Sequence, residues 1–324
     1  MTAATAVDLN RAALTARVSV VIVNWNTSDL LDQAMQSLRR SGDGSLVLEV
    51  IVVDNGSTDA SVEMLASRWP SAQQIRNETN RGYQAANNQG MAAATGEYVL
   101  LLNTDATLQP GCLSQLVAWL DTHPRAGIVA PRLSFADGAF QRWTAGQLPT
   151  LRSASAYFFT LDRLFPKSGL WLGRDLRQPF TPGWVSSACM LLRRSALLEI
   201  GPMDERFFAY MDDVDICARA WSAGWQVWYL PEARATHLMG ASAEVRTNGT
   251  SPAAVRALVR YVSLTLGHRR TRLFQLEACI GFALRALAHA CVGRVRGRSP
   301  TGGRDQLRNI RSVLEPINKQ RRQA

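Results

Sequence analysis

At 324 residues with 47% hydrophobic side chains, the chain is long enough to bury one large core or two, which excludes a wholly disordered protein. Its net charge of +10 is uneven: residues 1–242 carry 20 Lys and Arg against 22 Asp and Glu, whereas residues 243–324 carry 16 against 4. A near-neutral body with a basic tail implies an anionic surface met by the tail, and the lack of any nucleic-acid-binding motif turns that expectation from nucleic acid toward lipid headgroups.

Residues 1–17 lack the apolar stretch of a signal peptide and read as a loose leader. Residues 18–23, Val-Ser-Val-Val-Ile-Val, form a β-branched buried strand that stops at Asn24-Trp25-Asn26 before a helix opened by Ser28 or Asp29. A second strand over 48–53 ends at Asp54, where Gly56 permits a tight turn and Asp59 can cap the next helix. A short strand near 74–76 leads to Asn80-Arg81-Gly82-Tyr83 and a helix carrying Asn87. Residues 96–106 then run five apolar side chains into Asn103-Thr104-Asp105, the pattern of a central strand buried on both faces. Ligands of open α/β sheets collect beyond the carboxyl ends of such strands, so Asp54 and Asp105 can face one crevice. Each acid taken singly also reads as an ordinary turn residue. A helix with Pro110 in its first turn and a strand over 128–130 complete a strand and helix cadence that predicts a parallel sheet.

Periodicity weakens over 133–182, where loops and short helices facing a substrate are expected. A strand over 185–193, a helix starting among Asp212, Asp213 and Asp215, and a strand over 226–229 follow, with His237 in the loop beyond. Three acids in the first turn of a helix are favoured by its dipole, yet their mutual repulsion can raise one proton affinity toward that of a general base. His237 reads as a surface histidine or a metal ligand, and Trp184 as core or as a stacking plate for a sugar ring. Neither G-x-G-x-x-G nor a P-loop follows the first strands. The five cysteines are scattered without a C-x-x-C pair, as in a reducing, cytosolic compartment. From about 252 the chain becomes Arg-rich with two amphipathic helices; the most apolar window, 273–292, is interrupted by Glu277, Arg285 and His289.

Six blocks in order carry a family resemblance: residues 18–26, 53–59 (Val-Asp-Asn-Gly-Ser-Thr-Asp), 80–90, 101–105 (Leu-Leu-Asn-Thr-Asp), 188–194 and 207–217. Residues 18–242 resemble the family 2 glycosyltransferases of the GT-A fold, most closely their rhamnosyltransferase-like branch. The resemblance implies an α/β, Rossmann-like, mostly parallel sheet flanked by helices, with 18–132 as donor-binding half, 133–242 as acceptor and catalytic half, and 243–324 as a basic helical extension. It implies inverting transfer of a sugar, with L-rhamnose from a thymidine-diphosphate donor as first choice, to a glycan or lipid-linked saccharide of the cell envelope. Asp54, Arg81, Gly82, Asn87, Asn103 and Asp105 would then bind the nucleotide-diphosphate sugar, and Trp184 the acceptor. Asp105 with His237 would hold Mg²⁺ or Mn²⁺, and Asp213 would be the base, supported by Asp212 and Asp215. Asn103 stands where the family's D-x-D motif has an aspartate. The expected location is cytoplasmic, peripheral on the cytoplasmic face of the inner membrane through residues 252–298 on an anionic surface, unless these helices pack as a cap on the catalytic body or on a second subunit. The competing functions are a sugar nucleotidyltransferase and a non-catalytic nucleotide-sugar-binding scaffold.

Overall fold

The computed structural model describes residues 17–41, 46–207, 210–238, 251–296 and 301–315. Residues 1–16 of the expected leader, Phe208 and Ala209 of the sixth block, and residues 243–250, 297–300 and 316–324 of the basic extension lie outside the described residues.

The β-branched run forms β1 (Val18–Asn24), followed by α1 (Ser28–Ser41), β2 (Leu48–Asp54), α2 (Ser61–Arg68), β3 (Gln73–Arg76), α3 (Tyr83–Ala93) and β4 (Tyr98–Leu102). These four strands pair in parallel in the order β3-β2-β1-β4, with Asn24 in register with Asp54. Both faces are buried, as an uninterrupted apolar run requires. Val99 and Leu101 face one core with Val21 and Met91, while Tyr98, Leu100 and Leu102 face the other with Leu31 and Leu113. The strand expected over 96–106 is two: β4, then β5 (Ala106–Leu108) on the far edge of the sheet.

Next come α4 (Cys112–Thr122) and β6 (Ala126–Ser134), and then the irregular stretch with β7 (Ala145–Gly146) and α5 (Leu151–Phe158). The strand expected over 185–193 is broken into β8 (Trp184–Val185), which pairs with β7 in a small second sheet, and β9 (Cys189–Arg193). β9 lies antiparallel between β4 and β6, so the eight-stranded sheet is mixed. After α6 (Arg194–Ile200) and α7 (Asp212–Ser222), β10 runs Gln226–His237, which places His237 in a strand and not in a loop. A register shift between Leu230 and Arg234 lets β10 carry Pro231 and continue.

Among the described residues the tail forms three helices where two were expected: α8 (Pro252–Leu266), α9 (His268–Arg296) and α10 (Thr301–Leu314). Val255, Val259, Phe274, Phe282 and Val313 belong to the same core as Val21 and Leu101, so the helices pack on the body as a cap. The contact is close at Gly281, where a Cβ would meet the Phe158 Cβ at 2.5 Å. Phe158 also meets the rings of Phe274 and Phe282 at 5.8 and 5.3 Å.

Candidate functional site

The crevice begins where β1, β2 and β4 stop. Asp54 is buried, its Oδ1 accepting from the Asn24 amide (2.9 Å) and its Oδ2 from the Ser57 N–H (3.0 Å). Asn24 Oδ1 accepts from the Thr27 hydroxyl (2.8 Å), which lies 3.0 Å from the Thr104 hydroxyl, so Asp54 is tied to the tip that carries Asp105. On the other side the Tyr83 hydroxyl donates to Asn103 Oδ1 (2.9 Å) and to the Ser187 carbonyl (3.3 Å). Ser187 Oγ donates to Asp212 Oδ2 (3.1 Å), at the start of α7. Two hydrogen-bonded paths therefore join acids that are up to 158 positions apart in the chain, from Asp54 through Asp105 to Asp212.

His237 reaches Asp105 through strand pairing. β10 and β5 are antiparallel with His237 opposite Ala106, and the Leu238 N–H donates to the Asp105 carbonyl (2.9 Å). The result is an imidazole Nε2 3.2 Å from Asp105 Oδ1, both side chains largely buried. Gln141, fully buried, orients that ring: its Nε2 donates to the His237 carbonyl, which leaves its Oε1 facing His237 Nδ1 at 3.2 Å. An amide oxygen there accepts from Nδ1, which leaves Nε2 as the ring atom that would meet an ion beside Asp105. Adjacent ligands of an octahedral divalent ion lie about 3 Å apart, the ligand distance being near 2.1 Å. The Asp105 and His237 pair fits that spacing. Among the described residues no third His, Cys, Asp or Glu completes a cluster, so further ligands for Mg²⁺ or Mn²⁺ would be diphosphate oxygens and water.

The base candidate sits at the start of α7, after Tyr210 and Met211, both at φ near +65° (65° and 64°). Two successive side chains in the left-handed region cost about 1–2 kcal/mol each, strain that persists where the surroundings over-determine it. Burial and the neighbouring Asp212 charge push the Asp213 carboxyl well above the usual carboxylate range. Asp212 is itself raised, chiefly by burial. Asp215 is turned away, its Oδ2 2.9 Å from Arg219 Nε within the same helix. Tyr83 is held protonated by burial and by the charges of Asp212 and Asp213.

The remaining expected donor contacts are arranged as a turn. Asn55 Oδ1 accepts the Arg81 N–H (3.0 Å), and Asn80 Oδ1 accepts the N–H of Gly82, which stands at φ 87°. The Arg81 side chain is exposed, whereas Asn87 is buried and donates to the Tyr83 carbonyl one turn back (2.9 Å). Trp184 is a correction. It is 5% exposed and donates its indole N–H to the Leu170 carbonyl (3.0 Å), so its ring fills the core and offers no face to a sugar. Tyr83 and Gln141 were not singled out from the sequence. Tyr83 lies within the 80–90 segment that carries the resemblance, but Gln141 sits in the weakly periodic stretch with nothing to mark it.

A family model for glycosyl transferase family 2 matches residues 19–201. The chain is 29% identical over 308 residues to an N-acetylglucosaminyl-diphospho-decaprenol L-rhamnosyltransferase of Mycobacterium tuberculosis, covering 90% of this chain and 94% of that protein. It is also 29% identical over 225 residues to a pre-mycofactocin glycosyltransferase of the same organism, covering 68% of this chain and 42% of the relative. Among solved structures, a mannosyltransferase from Pyrobaculum calidifontis in complex with GDP-Man and Mn²⁺ superposes with a TM-score of 0.59 at 17% identity, over 93% of this chain and 87% of that one. GalNAc-T7 with UDP, GalNAc and Mn²⁺ gives 0.56 at 17% identity, over 77% and 48%. The structural likenesses carry the fold, which is GT-A, and the sequence matches carry the lineage: this rhamnosyltransferase-like chain belongs to glycosyl transferase family 2.

Proposed function

We propose that the protein is an inverting, divalent-cation-dependent glycosyltransferase that moves L-rhamnose from a thymidine-diphosphate donor to a lipid-linked saccharide in cell-envelope synthesis. The observation that carries the reading is the link from Asp54, through the tip that bears Asp105 beside His237, to Asp212, with the adjacent Asp213 given the raised proton affinity a base needs. The likeness over nearly the whole of a rhamnosyltransferase supports the choice of sugar and of a lipid-diphosphate acceptor. In the reaction the acceptor oxygen bonds to the anomeric carbon and its proton passes to an Asp213 carboxylate oxygen. The bond from that carbon to the diphosphate breaks on the opposite side, and the nucleoside diphosphate departs. Asp212, itself fixed by Ser187, stands beside Asp213, and negative charge on it would strengthen Asp213 as a base. Asp105 and His237 would hold the ion, and when bound such an ion supplies positive charge against the leaving diphosphate. Asp54 and the turn at Arg81 and Gly82 would hold the nucleoside.

A panel of nucleotide sugars, read by release of nucleoside diphosphate with and without Mn²⁺ and by the anomeric configuration of the product, tests the proposal. Retention of configuration, or full turnover in a chelator, sinks the corresponding part.

We further propose that the enzyme works on the cytoplasmic face of an anionic membrane, with residues 252–298 as its peripheral contact. Leu273, Leu276, Ile280, Leu284 and Leu287 are 43–63% exposed along one side of α9, and Arg269, Arg270 and Arg272 are exposed at its start. An apolar stripe with cations at its end is the chemistry of an interfacial helix. An 18-residue window within His268–Cys291 reaches a mean hydropathy of 1.2, long and apolar enough by composition to cross a membrane. Its Phe274, Ala278 and Phe282 are instead buried within the protein, which favours a helix lying on the surface.

A further inference from the structure

A cleft of about 780 Å³ opens between the start of α5 and the segment that leads into β8. None of Asp54, Asp105, Asp213 or His237 lines it. Its walls are mostly apolar, with Leu148, Leu176 and Trp221, and three cations, Arg152, Lys167 and Arg174, stand at its edge without a carboxylate among the lining residues. The nearest acids along the chain are already matched. Asp162 pairs with Arg142 (2.6 Å), and Asp175 forms a two-pronged pair with Arg132 (2.9 Å for each bond). Among the described residues none of the three rim cations forms a salt bridge, although Lys167 Nζ lies over the Phe180 ring at 4.7 Å, and the N-terminus of α5, capped by Thr150 at the cleft, adds to their field.

The cleft is tethered to the site by two elements. Trp221 is the tenth residue of α7, whose first is Asp212, which sets the cleft about 13 Å from the acids at 1.5 Å per residue. The Trp221 indole donates to the carbonyls of Pro182 and Gly183 (3.2 Å each), and from there the chain runs through β8 to Ser187, which bonds Asp212. The other end of α5 packs against α9 through Phe158. The cleft thus stands on the path from the base to the helix with the exposed leucines.

We propose that this cleft receives the phosphates, and the first apolar units beyond them, of the lipid that carries the acceptor saccharide; the inference rests on the lipid-linked acceptor proposed above. Cations at a rim over an apolar wall match a ligand whose phosphate esters continue into a hydrocarbon chain. An acceptor sugar at Asp213 would extend its anomeric phosphates toward Arg152, Lys167 and Arg174.

Calorimetric binding of geranyl diphosphate, which has the phosphates and the chain but no sugar, reads the cleft without turnover. The intact enzyme binds it, geraniol binds far more weakly, and the double variant Arg152→Gln/Arg174→Gln loses about tenfold or more of the affinity. In transfer assays the same variant raises the KM for a short-chain GlcNAc-diphospho-prenol by a similar factor, while the KM for the nucleotide sugar stays put. A β-linked alkyl GlcNAc glycoside, which lacks the phosphates, shows no such rise. Equal KM changes for the two acceptors, or none for either, overturn the proposal. A variant that loses binding to phosphatidylglycerol vesicles yet keeps its acceptor KM makes the cleft a headgroup site and likewise overturns it. An enzyme that binds geranyl diphosphate in the cleft but transfers sugar only to acceptors without lipid fails the lipid-linked reading, and with it the acceptor assignment, while keeping the anionic-lipid site.

Discussion

Asp213 joins two properties that work against each other. Desolvation and the Asp212 charge make it a strong proton acceptor, and the same terms make its ionisation costly to the fold. Its carboxyl is raised in the folded state, so the stability tied to its protonated form is complete below the ordinary aspartate value of 3.8 and is lost as pH rises through the raised one. Asp213→Asn is therefore expected to reduce kcat by about 10³-fold or more while sparing donor binding, and to melt higher than the native enzyme near pH 8. Melting curves of the two that do not converge on acidification below pH 3.8 would contradict this account. Gln141 acts on the proposed ion through His237. Gln141→Leu frees the His237 ring to rotate and change tautomer, and Mn²⁺ affinity measured by electron paramagnetic resonance should fall about 10- to 100-fold. Gln141→Glu keeps an acceptor toward Nδ1 but turns the donor to the His237 carbonyl into a second acceptor, and should not restore it. The acids at the strand ends were legible because a buried apolar run that stops at a carboxylate is a local pattern. Gln141 was not, because its partner is 96 positions away and nothing near it in sequence shows that a histidine will arrive.

At the scale of elements, one side chain starts two helices. Asp59 Oδ2 accepts from the Ser28 N–H at the head of α1 (3.0 Å), while Oδ1 accepts from the Ser61 N–H (3.1 Å) and hydroxyl (2.5 Å) at the head of α2. Burial alone would raise its carboxyl, and these hydrogen bonds outweigh that and lower it. Asp59→Ala should cost about 1–2 kcal/mol in urea unfolding at pH 7. Because the folded value is depressed, the cost is present above 3.8 and shrinks as pH falls through the folded value; a pH-independent difference would argue against the capping role. The N-cap of α2 is Ala60 and not the expected Asp59, which binds the Ser61 N–H from one position upstream, and the reach to the first helix was not expected. Helices and parallel strands of the first half were legible because each carries its own period. β10 was not: Pro231 and Glu232 read as the end of a strand, and only pairing with β6 and β5, formed far away in sequence, carries the strand past them to His237. The antiparallel course of β9 was likewise hidden, since an apolar run states its burial and not its direction.

For the molecule as a whole, the charge division seen in the sequence becomes a division of faces. α9 uses Phe274, Ala278 and Phe282 to seal the body, and Glu277 beside them is raised by burial. Arg285 donates to the Tyr157 carbonyl and lies over its ring at 4.3 Å, so part of the tail's charge is spent on holding the helix to α5. Leu276, Ile280 and Leu284 point the other way and contribute no such packing, at 57, 43 and 52% exposure. Removing their apolar character should therefore leave the fold intact. Leu276→Gln/Ile280→Gln/Leu284→Gln is expected to keep the native melting temperature within a few degrees, about what surface substitutions cost. The same variant should lose flotation with vesicles containing phosphatidylglycerol, because anchoring needs both the apolar stripe and the cations. High salt should weaken the native protein's binding as well, by screening the arginines. Turnover on lipid-linked acceptor in vesicles then falls while turnover on the same acceptor in detergent does not, since only the first requires the enzyme to find a bilayer. A triple variant that floats with vesicles as well as the native protein assigns the exposed leucines of α9 to another contact and removes them from the membrane face.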